Sequence, residues 1–147
     1  MTFDRAIVGR PTDPRLGRTA RGDEIRIVAR GRDTAGSVGI FEGLIAPGTG
    51  PDWHVHTRET EIFHVVSGSF HFWCGPDEFD AGPGTTVTLP PNVPHQWKNV
   101  GEEDGLVLTF VTPGGFEEHF MEIARLDQVT DQAMAEIDGR YGVRDGF

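Results

Sequence analysis

The nonapeptide WHVHTRETE, residues 53–61, sets His54 and His56 two positions apart and follows them with Glu59 and Glu61. In an extended chain successive side chains point to opposite faces, so His54 and His56 share one face while Trp53 and Val55 take the other. Two imidazoles about 7 Å apart along a strand can converge on a single ion. Glu61 would sit on the wrong face of a continuous strand. If residues 57–60 make a turn, it starts the returning strand and points back to the same place, on the face that also carries Phe63 and Val65. Two half-buried imidazoles beside solvated charge satisfy the same spacing, so the nonapeptide alone leaves both readings open. Glu59 falls in the turn and reads as a surface charge.

A second stretch, GPGTTVTLPPNVPHQWKN (82–99), brings His95 out of a proline-rich turn on to a strand face with Trp97 and Asn99. Delivered by another hairpin, His95 would complete a set of three histidines and one carboxylate. Such a set suits a divalent first-row metal and leaves one or two coordination positions open.

The elements that must position these residues are short. Segments rich in β-branched and aromatic residues at 24–30, 37–46, 52–56, 61–68, 69–75, 85–90, 95–100 and 106–112 alternate with turn sequences, among them GPDEFDAGPG (75–84). Twenty glycines and ten prolines supply those turns and exclude a helical bundle. The pattern predicts an all-β sandwich or barrel over 24–113, preceded by a polar arm (1–23) with at most a short strand. Over 114–147 the period changes. Phe116, Phe120 and Ile123, then Val129, Ala133, Ile137 and Tyr141, recur at helical spacing and predict two short C-terminal helices.

Composition excludes several function classes. The net charge is −10, and from Asp77 onward fourteen acidic residues face only Lys98, Arg125, Arg140 and Arg144. Phosphate backbones need a concentrated positive surface, so nucleic acid is not an expected partner. The lone Cys74 excludes an internal disulfide and reads as a core or strand-end residue. No apolar run reaches the ~18 residues of a membrane span, and the first residues lack the apolar core of a secretory signal, which makes the cytoplasm the expected location. There is no nucleophile elbow and no phosphate loop. His64 is expected to face outward, His71 is left open, and His119, among acidic neighbours, is expected on a solvated helix face.

Taken together the two stretches resemble the motifs of the cupin superfamily. Gly48, His54, His56, Glu61 and Gly68 match the first motif; Gly84, Pro90, His95 and Asn99 match the second. Asn92 stands where the family has glycine, and asparagine is the residue next most able to adopt left-handed backbone. The resemblance, over about Glu24 to Thr112, implies a small antiparallel jelly-roll β-barrel with an ion inside, ligated by His54, His56, Glu61 and His95. It also implies a homodimer. The segments TPGGFEEHFMEIA and IDGRYGV resemble bacterial cupins grouped with quercetin 2,3-dioxygenases, which implies iron, manganese, nickel, cobalt or zinc.

The expected function is therefore a metal-dependent dioxygenase acting on a small aromatic or oxygenated molecule, with Glu61 as catalytic base. Phe63, Phe72 and Trp97 are the candidate pocket residues. A non-oxidative isomerase, epimerase or lyase, or a non-catalytic binding cupin, would use the same ligand set.

Overall fold

The computed structural model describes residues 2–146. Strands β1 (Gly17–Arg18), β2 (Glu24–Ala29), β3 (Gly39–Ile45), β4 (His54–His56), β5 (Thr60–Ser67), β6 (Phe70–Cys74), β7 (Asp77–Ala81), β8 (Thr86–Leu89), β9 (His95–Asn99) and β10 (Gly105–Thr112) come first. Helices α1 (Glu117–Ala124) and α2 (Asp131–Arg140) follow, then a short strand β11 (Val143–Asp145). The strands form two antiparallel sheets, ordered β1-β2-β3-β10-β5-β8 and β11-β4-β9-β6-β7. No described helix is long and apolar enough to cross a membrane.

Strand alternation builds the interior. On β5, Glu61, Phe63 and Val65 are buried while Ile62 and His64 stay half-buried. With Phe70, Phe72 and Cys74 of β6, Val87 and Leu89 of β8, and Val107 of β10, these apolar side chains fill the space between the sheets. Each large apolar side chain removed from water there contributes about 1.5–3 kcal/mol. A second cluster of Ile25, Phe41, Val111, Phe116 and Phe120 fastens α1 to the six-stranded sheet.

Two elements depart from the sequence expectation. Residues 77–81, expected within a loop, form β7, which pairs with β6 so that Phe79 lies opposite Phe72 and stacks on it at 5.7 Å. Aspartate and glutamate have low strand preference, so the local sequence hides a strand that cross-strand packing stabilises. The second, β11, was not anticipated. It pairs with β4 in the register Val143↔His56 and Asp145↔His54, covering the edge of the strand that carries both histidines.

Buried charge ties the helices to the barrel. Glu117, fully buried, accepts hydrogen bonds from the backbone N–H of Gly31 (2.9 Å) and Gly115 (2.7 Å). Glu118 accepts from Arg30 Nε (2.7 Å) and also pairs with Arg32. Thr130 caps α2 by accepting from Ala133 N–H at 3.1 Å.

Candidate metal centre

His54, His56, Glu61 and His95 come together between the sheets, with one donor atom from each lying within 4.8 Å of all the others. Three elements deliver them. His54 and His56 share a face of β4, β9 sets His95 directly opposite His54, and β5 returns Glu61 after the 57–59 turn. The turn before β9 depends on Asn92, which holds the left-handed φ of 64° required at that position and donates its N–H to His56 O at 2.8 Å. Gly50 lets the neighbouring loop approach β9, where a Cβ would lie 2.0 Å from Trp97 O. Asn99 is wholly buried and holds the framework. Its side chain donates to Ile45 O and Glu103 O, both at 2.9 Å, and accepts from Gly101 N–H at 2.8 Å.

Glu61 Oε1 lies 3.1 Å from both His56 Nε2 and His95 Nε2. Glu61 Oε1 and His95 Nε2 are buried without a hydrogen-bond partner. Orphaned, converging nitrogen and oxygen donors are costly in a packed interior unless a cation satisfies them, and the donor set fits a divalent transition metal. The opposite ring nitrogens are held from behind. His54 Nδ1 bonds Asp52 O at 2.7 Å and His95 Nδ1 faces Val93 O at 3.2 Å. His56 Nδ1 instead faces a carboxylate, Glu59 Oε2, at 3.5 Å. The backbone carbonyls behind His54 and His95 favour the tautomer that leaves Nε2 free to ligate.

The electrostatics suit a cation. Burial, reinforced by the charges of His95 and His56, lowers the His54 pKa to about 4, so its ring stays neutral. Burial works against a charged Glu61, but His56, His95 and His54 outweigh it and hold the carboxyl at about 2. Burial likewise opposes charge on His56, yet Glu61 and Glu59 raise its pKa above the ordinary value. At neutral pH the cluster offers an ionised carboxylate and at least one imidazole with a free lone pair, the states that metal binding requires.

A cavity of about 550 Å³ reaches the cluster, bordered by His54, His56 and Glu61. Phe41, Phe63, Trp97, Phe116, Phe120 and Ile123 form much of its apolar wall. Phe63 and Trp97 therefore border the space, whereas Phe72 does not. It is fully buried behind them, packed on Phe63 and Phe79. From sequence Phe116 and Phe120 mark only a helical spacing, which gives no sign that they also border a cavity.

Two polar residues also depart from expectation. Glu59 is 5% exposed, because Thr57 N–H donates to Gly142 O and Arg58 to Arg140 O, closing the C-terminal segment over the turn. His119 is 7% exposed rather than solvated, with Nε2 2.7 Å from Asp138 Oδ1 on α2 and its ring stacked on Phe116. His64 lies away from the centre, with Nδ1 2.9 Å from Thr86 Oγ1. His71 faces outward and pairs with Asp80 and Glu78.

Fold and cluster together define a metal-binding cupin. Residues 41–112 match the cupin domain family, and the chain carries a cupin domain over that span. An uncharacterized protein of Methanocaldococcus jannaschii, MJ1618, is 26% identical over 62 residues, which are 42% of this chain and half the length of that relative. Among solved structures, KdgF from Halomonas sp. superposes with a TM-score of 0.59 at 23% identity, covering 66% of this chain and 84% of that one. A predicted oxalate decarboxylase from Thermotoga maritima also superposes at 0.59, with 17% identity and coverage of 62% and 80%. These likenesses establish the fold.

Proposed function

We propose that the protein is a metal-dependent dioxygenase acting on a small molecule with an aromatic or otherwise apolar body and an oxygen donor at one end. The observation that carries this reading is that the His54, His56, Glu61 and His95 cluster opens, through His54, His56 and Glu61, on a cavity whose apolar wall includes Phe41, Phe63, Trp97, Phe116 and Phe120. A divalent transition metal held there (iron, manganese, nickel, cobalt or zinc) supplies a Lewis acid for the substrate oxygen and, where the ion is redox-active, a route for dioxygen chemistry. The chain's residues do the rest. His54, His56 and His95 hold the ion, and Glu61, its only anionic ligand, takes the substrate proton on a carboxylate oxygen. Phe63, Trp97 and Phe116 pack against the substrate body and keep water from the centre.

Dioxygen uptake tests this reading. Protein loaded in turn with iron, manganese, nickel or cobalt is expected to consume dioxygen with at least one member of a panel of flavonols and aromatic diols. Full metal loading with no uptake on any of them would sink it. In that event a non-oxidative isomerase, epimerase or lyase is the alternative, supported by the fold shared with the predicted oxalate decarboxylase. A binding cupin without turnover follows if no chemistry is found. We also place the protein in the cytoplasm as a homodimer, the exposed Phe3, Val8 and Leu16 of the arm offering apolar surface for a second copy to cover. A monomer mass by light scattering would remove the dimer.

A further inference from the structure

Resting on the reading of the cavity as a small-molecule site, we propose that it selects neutral or cationic ligands that present hydrogen-bond donors away from the metal, and disfavours anions. The side groups around the cavity carry this. Asp145 pairs directly with His54 across β11 and β4, so the two side chains stand on the same face of the sheet. Asp52 precedes His54 by two residues and is well exposed. Asp131 and Asp138 of α2 border the cavity from another side. Among the described lining residues Arg21 is the one arginine or lysine, and Asp52 holds it at 2.8 Å.

The interior repeats this preference. His119 lies one aromatic ring from the metal cluster, since Phe116 packs 4.8 Å from its ring and 4.5 Å from that of His56. The His119 side chain is only 9% exposed, Nε2 is engaged by Asp138, and Nδ1 has no partner. Nε2 donates to Asp138, which leaves the unpartnered Nδ1 as the polar atom His119 offers the cavity. The carboxylates around the cavity call for a hydroxyl or ammonium on the ligand, not a carboxylate or phosphate.

Three catechols of similar shape and different charge provide the test: dopamine, 4-ethylcatechol and 3,4-dihydroxyphenylacetate. Each is titrated anaerobically into zinc-loaded wild-type protein and into Asp131→Asn/Asp145→Asn, by calorimetry. Affinity is expected to fall in that order, by up to roughly tenfold per unit of ligand charge at low salt. The spread is expected to shrink in about 0.5 M salt and in the double variant, because the open carboxylates are screened or removed. Equal affinities, a tightest fit for the acid, or a spread unchanged in the double variant would overturn the inference and leave the metal cavity standing. If none of the three binds the zinc-loaded protein, the proposed function fails first and this inference with it.

Discussion

Glu59→Ala is expected to weaken metal binding without unfolding the protein. The reason lies behind His56. The other two imidazoles are held by backbone carbonyls, Asp52 O and Val93 O, which no side-chain substitution removes. His56 Nδ1 faces only the Glu59 carboxylate, 3.5 Å away, and neither atom has a hydrogen bond in the structure. Truncation would remove the one polar group behind Nδ1, which supports the ring as a metal donor. Loss of such an outer-shell partner costs ~10–100-fold in metal affinity, or about 1.4–2.8 kcal/mol. Glu59→Gln keeps an acceptor oxygen for Nδ1–H but not the charge, and should fall between Glu59→Ala and wild type. Competition against chelators of known zinc affinity measures the order, and the melting temperature of the metal-free variants controls for folding. The reasoning is refuted if Glu59→Ala binds zinc within about twofold of wild type, or if Gln and Ala lose equally.

His54→Ala and His95→Ala are each expected to abolish stoichiometric metal by elemental analysis while far-ultraviolet dichroism is retained; metal that survives in both would displace the site. Glu117→Ala strands the buried N–H of Gly31 and the part-buried N–H of Gly115, and should cost roughly 2–3 kcal/mol in denaturant unfolding. Burial works against charge on Glu118, but Arg30 and Arg32 outweigh it and hold its pKa below the ordinary 4.5. A depressed folded-state pKa gives stability that is present above pH 4.5 and lost as the pH falls below it. Glu118→Gln should therefore flatten the loss of melting temperature in that acid window, and an unchanged acid limb would contradict the assignment.

Local rules made part of the cluster legible: a strand's two-residue period sets His54 beside His56, and a short turn can return Glu61. That His95 joins them was implied by the resemblance to the cupin motifs, since its pairing with His54 spans two distant strands. The turn at Asn92 was legible because the motif places glycine there and asparagine tolerates the left-handed backbone that the structure shows. The strands that alternate apolar and polar residues were equally plain, whereas β7 was not. Its Asp-Glu-Phe-Asp-Ala sequence becomes a strand through the pairing of Phe79 with Phe72, which belongs to another segment.

Sequence, with the family resemblance its motifs carry, determined the fold class, most of the turns, the helix pair at the end of the chain and the set of donors that could meet. Only the tertiary structure decided which polar residues were withdrawn from water. Glu59 is buried because residues 140–142 close over its turn, and His119 because Asp138, nineteen positions away, reaches its ring. Phe72 was drawn behind the cavity wall, while Phe116 and Phe120 were brought up to it. The physical reason is common to all of these. Strand parity and turn chemistry act over a few residues, but burial and the partner of a polar atom depend on what the rest of the chain packs against it.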